Sequence, residues 1–163
     1  MKFRIKPEIF ILDLDGVLSD GKFYYSDKGK ILKAFSVDDH DALNYLSKFI
    51  KIQVITADAK GIKISKRRIK NDMGLSLDLV PAQNRAEWLA SRFDLTKAIY
   101  MGDGIFDFLV FKEVMYSISP NNALSNTRKN ADFVTKSNGG DRAVAEACIK
   151  ILEEFFQKHN IFK

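Results

Sequence analysis

The sequence predicts an α/β fold: a doubly wound, mostly parallel sheet with helices on both faces. Two observations carry this. Short apolar, β-branched runs recur along the chain, at residues 9–12, 52–55, 77–80, 98–101, 115–118 and 133–135. Segments of helical periodicity alternate with them, at 39–49, 59–72, 84–93, 106–113, 123–129 and 141–157. Strand–helix alternation is the pattern of a parallel sheet covered on both sides, with right-handed crossovers.

One segment breaks the alternation. Residues 22–35 follow the first strand directly and read as two strands joined by a turn at 26–29. They carry Phe23, Tyr24, Tyr25, Ile31, Leu32 and Phe35. A two-stranded hairpin alone is marginal in water and leaves open edges. No repeat, low-complexity tract or linker divides the chain, so residues 1–163 read as one domain.

The chain has 163 residues, enough for one core, and its 46% hydrophobic and 29% charged content is that of a globular protein. The lone cysteine, Cys148, allows no internal disulfide; its neighbours Val144, Ala147 and Ile151 make it a small core residue. Lys2, Arg4 and Lys6 precede an apolar run that Asp13 cuts short, which does not suit a signal peptide. No apolar stretch approaches the roughly 18 residues of a membrane span, and a cytoplasmic protein without membrane contact is expected. Net charge is +5, with a basic patch of Lys60, Lys63, Lys66, Arg67, Arg68 and Lys70. No aromatic residues interleave it, so it reads as a solvated helix face and no nucleic-acid partner is expected.

In an open parallel sheet, ligands bind beyond the carboxyl ends of the strands. The first strand ends Asp13-Leu14-Asp15-Gly16, and period-two geometry would put Asp13 and Asp15 on one side if the strand continued. A second strand ends at Thr56; a later one ends Gly102-Asp103-Gly104, with Asp107 at the start of a helix. Acidic groups converging on one edge repel one another and call for a hard divalent cation. Carboxylates with room for water and phosphate oxygens suit Mg²⁺. The metal neutralises phosphate charge, one aspartate attacks, and a second protonates the leaving oxygen.

Residues 11–17, Ile-Leu-Asp-Leu-Asp-Gly-Val, with Thr56, Asp103 and Asp107, resemble the motifs of the haloacid dehalogenase superfamily over nearly the whole chain. The resemblance implies a Rossmann-like phosphatase in which Asp13 is the nucleophile and Asp15 the general acid/base. Thr56, with Ala57, would bind the phosphoryl group. Asp13, Asp103 and the backbone carbonyl of Asp15 would hold Mg²⁺, with Asp107 as ligand or in support. The stretches 16–21, 33–37 and 139–146 resemble a lidless subfamily acting on small sugar or sugar-acid phosphates, of the 3-deoxy-octulosonate 8-phosphate or nonulosonate 9-phosphate type. In that subfamily the hairpins of four subunits form a shared barrel. The resemblance therefore implies a homotetramer in which a neighbour's hairpin or the tail 155–163 roofs the site, and a place in cell-surface polysaccharide biosynthesis.

Three residues depart from the family pattern. Arg85 stands where a phosphate-binding lysine is expected, Asp58 where an arginine reads an anionic substrate, and Gly104 where a second aspartate is frequent. His40 and Asp58 are candidate substrate contacts. A catalytically weak relative with a regulatory or assembly role is the alternative to a working phosphatase. A two-component receiver domain does not suit the chain, because Asp13 and Asp15 close the first strand and not the third.

Overall fold

The computed structural model describes residues 5–158. Its first strand, β1 (Ile9–Asp13), is buried along its whole length, as a central strand with both faces covered must be. Alternate side chains divide between two cores. Phe10 and Leu12 join one cluster; Ile9 and Ile11 join the other.

β2 (Tyr24–Ser26) and β3 (Gly29–Leu32) form the antiparallel hairpin. A bridge between Ser19 and Phe35 ties its base to the main body. Then follow α1 (Val37–Leu46), β4 (Lys51–Thr56), α2 (Ile62–Lys66), β5 (Ser76–Leu79) and α3 (Arg85–Ala90). The chain closes with β6 (Ala98–Met101), α4 (Asp107–Phe111), β7 (Tyr116–Ser119), α5 (Ser125–Lys129), β8 (Phe133–Val134) and α6 (Ala143–Phe156). The main sheet has the order β5-β4-β1-β6-β7-β8, and every pair in it is parallel. Leu43 and Leu46 of α1, with Ala147, Ile151 and Phe155 of α6, cover one face. Leu89 of α3 and Val110 of α4 cover the other.

All six expected strands and all six expected helices are present, with shifted ends. The helix expected over 59–72 starts at Ile62, because Asp58 accepts a hydrogen bond from the Gly61 N–H at 3.0 Å and holds the preceding residues in a loop. Its second half, Arg67–Asp72, widens into a π-type turn. α1 starts two residues early, at Val37, with Asp38 and Asp39 in its first turn, where acids favour the helix dipole. Cys148 is buried on α6, and burial pushes its thiol well above the usual value. Among the described residues no helix is long and apolar enough to cross a membrane.

β1 does not continue to Asp15. It ends at Asp13, and Leu14–Leu18 forms one wide turn closed by the Ser19 N–H on the Leu14 carbonyl at 2.9 Å. Asp15 therefore takes its place from the turn and not from strand alternation. Gly139 lies so close over this turn that a Cβ there would fall 1.9 Å from the Gly16 carbonyl oxygen. The next amide, Gly140 N–H, donates to the Val17 carbonyl at 3.0 Å.

Candidate active site

Asp13 is the last residue of β1 and shares a side with Ile9 and Ile11, so it points toward the layer of α3 and α4. Arg85, the first residue of α3, meets it there: Nη1 lies 2.7 Å from Asp13 Oδ2 and 2.5 Å from Asp107 Oδ1. Tyr100 of β6 donates its hydroxyl to the same Asp107 oxygen at 2.6 Å. The other Asp107 oxygen accepts the amides of Asp103 and Gly104 at 2.9 and 2.8 Å, so the loop after β6 folds around one carboxylate. Carboxylate oxygens of Asp13, Asp103 and Asp107 lie within 4.8 Å of one another.

Asp15 faces a different set of partners. Thr56, ending β4, donates its hydroxyl to Asp15 Oδ2 at 2.9 Å. Lys33, just beyond β3, places Nζ 2.7 Å from Asp15 Oδ1, 3.0 Å from Asp58 Oδ2 and 3.0 Å from Ser65 Oγ. Lys30 of β3 pairs with Asp58 Oδ1, its ammonium 3.4 Å from the centre of the Phe23 ring. In the sequence Lys33 stands out only as one member of the family-like stretch 33–37. The one signal for it is a lysine placed between the apolar Leu32 and Ala34-Phe35.

Burial pushes the Asp13 carboxyl up to about 7; Arg85 opposes this and Asp107 adds to it. Burial, with Asp13 and Asp107 nearby, pushes Asp103 up to about 8. Burial would lower the Arg85 value, but Tyr100, Asp13 and Asp107 outweigh it and hold the guanidinium charged. For Asp58 burial acts upward, and hydrogen bonds from Lys30 and Lys33 outweigh it, so its carboxyl stays below the usual range. One guanidinium is thus left to balance three clustered carboxylates, two of which resist ionising. An all-oxygen donor set with this deficit fits Mg²⁺.

Asp13, Asp15 and Arg85 open onto a cleft of about 390 Å³ whose wall includes Phe23, Lys30 and Asp58. Ala57 lines the same cleft. His40 does not: it lies on α1 with Nε2 3.1 Å from Asn44 Nδ2. A larger cavity of about 690 Å³ borders α1 and α6 near Tyr45, Arg142 and Leu152. It is away from the clustered carboxylates, which leaves the smaller cleft as the candidate site.

No family model matches the chain. The 3-deoxy-D-manno-octulosonate 8-phosphate phosphatase of Salmonella typhi is 32% identical over 154 residues, covering 88% of this chain and 78% of that protein. The chain belongs to that family. The family lies within the haloacid dehalogenase superfamily, to which a similar structure from Legionella pneumophila is assigned (26% identity, TM-score 0.82, 93% of this chain and 85% of that one). The phosphatase from Moraxella catarrhalis, solved with magnesium, phosphate and the sugar acid, is 28% identical with a TM-score of 0.82, over 93% of this chain and 88% of that one. A cobalt-bound relative from Haemophilus influenzae shares the fold at a TM-score of 0.84 and 24% identity, over 97% and 94% of the two chains. The chain is thus a phosphatase that uses a divalent metal ion. Within this phosphatase Arg85 occupies the centre of the carboxylate cluster, so the departure from lysine leaves a cation in place but alters its shape.

Proposed function

We propose that the phosphatase hydrolyses the phosphomonoester of a small sugar or sugar acid through an aspartyl-phosphate on Asp13. The convergence of Asp13, Asp103 and Asp107 within 4.8 Å, beside a cleft of sugar-phosphate size, is the observation that supports this most. Asp13, Asp103, Asp107 and the Asp15 carbonyl would hold Mg²⁺, which when bound supplies positive charge against the phosphoryl oxygens. An Asp13 oxygen attacks phosphorus and the sugar oxygen departs, taking a proton from Asp15. Asp15 then removes a proton from water, which attacks the acyl phosphate, releases inorganic phosphate and restores Asp13. Thr56 orients Asp15 and, with Ala57, lies where the transferred phosphoryl group would rest. Arg85 holds Asp13 in position for attack.

Asp13→Asn tests this reading, because a neutral amide cannot form the intermediate. Phosphate release from an aryl phosphate with Mg²⁺ should fall by about 10³-fold or more, with the fold retained. Asp15→Asn should lose about 10²–10⁴-fold. Multiple turnover by Asp13→Asn would refute the mechanism. Absence of turnover in the unaltered protein would favour a regulatory or assembly subunit.

A tetramer accompanies this function in our reading. Tyr24, Tyr25, Ile31 and Leu32 are all exposed on the hairpin, and symmetric association would bury them. The hairpin of a neighbour would then roof the cleft. Of the tail expected to share that role, residues 159–163 lie outside the described residues.

A further inference from the structure

α6 begins without a cap of its own. The first amides of a helix have no partner inside it and are commonly met by the side chain of the residue just before. Here that residue is Arg142, left-handed at φ 73°, and its side chain makes no such bond. The partner comes from α1 instead, 106 residues away in sequence: buried Asp39 accepts the Ala145 amide at 2.8 Å. The amides of Val144 and Arg142 face the same carboxylate. Arg142 itself turns its Nε to Asp38 Oδ2, 2.6 Å away. The start of α6 is thus pinned to α1, and the residues just ahead of it are those that brace the turn at 14–18. Gly140 donates to the Val17 carbonyl at 3.0 Å, and Gly139 lies against the Gly16 carbonyl too closely to admit a Cβ. On its other side the same turn is held by the Ser19–Phe35 bridge, just ahead of α1. Asp15, the acid of the proposed reaction, sits on that turn. Its proton must pass over hydrogen-bond distance, so a small displacement of the turn costs the transfer.

We infer that Asp39 is a positioning residue for proton transfer from Asp15: by capping α6 from α1 it fixes the loop at 139–140 and, through it, the turn that carries the acid. This rests on the phosphatase reading above and deepens it. In the step concerned an Asp13 oxygen bonds to phosphorus, the bond from phosphorus to the ester oxygen breaks, and the proton of Asp15 passes to that oxygen. Benzyl phosphate needs this proton, because an alkoxide is a poor leaving group. 4-Nitrophenyl phosphate does not, because its phenolate leaves unprotonated. The test measures kcat/KM for both esters with Mg²⁺. In Asp39→Ala the benzyl-to-nitrophenyl ratio should fall by about tenfold or more, since a placed acid contributes about 10²–10⁴-fold. Asp39→Asn keeps an oxygen for the Ala145 amide and should hold the ratio within about threefold of the unaltered protein's. Leu46→Ala, buried on the same helix, should lower Tm by several degrees and leave the ratio alone. An unchanged ratio in Asp39→Ala, with both rates lowered alike, overturns the inference. An equal fall of the ratio in Leu46→Ala or in Asp39→Asn does so too. Should Asp39→Ala fail to fold, Asp39→Ser, which leaves room for water at the amides, takes its place, with a fall of about threefold or more expected. If neither folds, Asp39 serves the fold alone and the inference falls. Hydrolysis of the nitrophenyl but not the benzyl ester by the unaltered protein also overturns it, while the phosphatase reading stands. Hydrolysis of neither overturns both.

Discussion

Gly16 occupies a point where a side chain cannot go. Its φ is +88°, and a Cβ there would lie 2.0 Å from Asp103 Oδ2. Gly16→Ala should therefore cost about 2 kcal/mol in backbone strain, which for a chain this size is about 4–8 °C in Tm. It should also displace Asp103 and weaken Mg²⁺ binding. Thermal melts with a Mg²⁺ titration check both, and unchanged metal affinity would show that Asp103 is free to move aside. Asp13, Thr56 and Asp103 are legible in the sequence because each follows an apolar run, and a parallel sheet gathers its strand ends along one edge. Tyr100 and Lys33 are not. Tyr100 reads as one more strand residue, and only the fold turns its hydroxyl onto Asp107. The position of Arg85 follows from the resemblance, but its bridging of two aspartates follows from α3 packing against β1 and β6.

At the level of elements, the hairpin belongs to the site as well as to the surface. Lys33 is buried and holds both Asp15 and Asp58, while the residues around the β2–β3 turn remain exposed. Lys33→Met would take one ionic partner from the half-buried Asp15 and Asp58, which keep Thr56 and Lys30, a loss of about 1–3 kcal/mol. Melting should fall by several degrees and aryl phosphatase activity by at least about tenfold. Lys22→Met, at an exposed position on the same segment, should change neither. Equal behaviour of the two variants would place Lys33 outside the machinery. The expected elements are recovered with shifted ends, because ends answer to tertiary contacts that periodicity does not encode. α6 starts at Ala143 and not at 141: Arg142 before it is left-handed at φ 73°, and Asp39 of α1 accepts the Ala145 amide at 2.8 Å.

For the whole molecule, charge and assembly give separate expectations. Asp39, Asp13 and Asp103 are raised to about 6, 7 and 8 from the usual 3.8. The folded chain therefore keeps protons that the unfolded chain gives up near pH 4. The stability these groups contribute is full below that pH and is lost as pH rises through 6 to 8. Mg²⁺ would take the place of the protons on Asp13 and Asp103, so its gain in Tm should be small at pH 5 and larger at pH 8. Equal gains at both would contradict the ligand set. Light scattering should give a mass near four chains. Replacing Tyr24 with Glu and Leu32 with Lys should break the assembly and lower activity with it; a fully active monomer of the unaltered protein would rule this assembly out.

The contact of Gly139 and Gly140 with the turn at 14–18 also orders events during synthesis. Asp13 and Asp15 leave the ribosome first, yet the loop that packs over their turn is translated more than a hundred residues later. A message cut short before that loop would yield a polypeptide bearing Asp13, Asp15, Asp103 and Asp107 with the turn unsupported. Translation must run past Gly140 before this turn is braced, and products interrupted earlier should carry the acids without the activity.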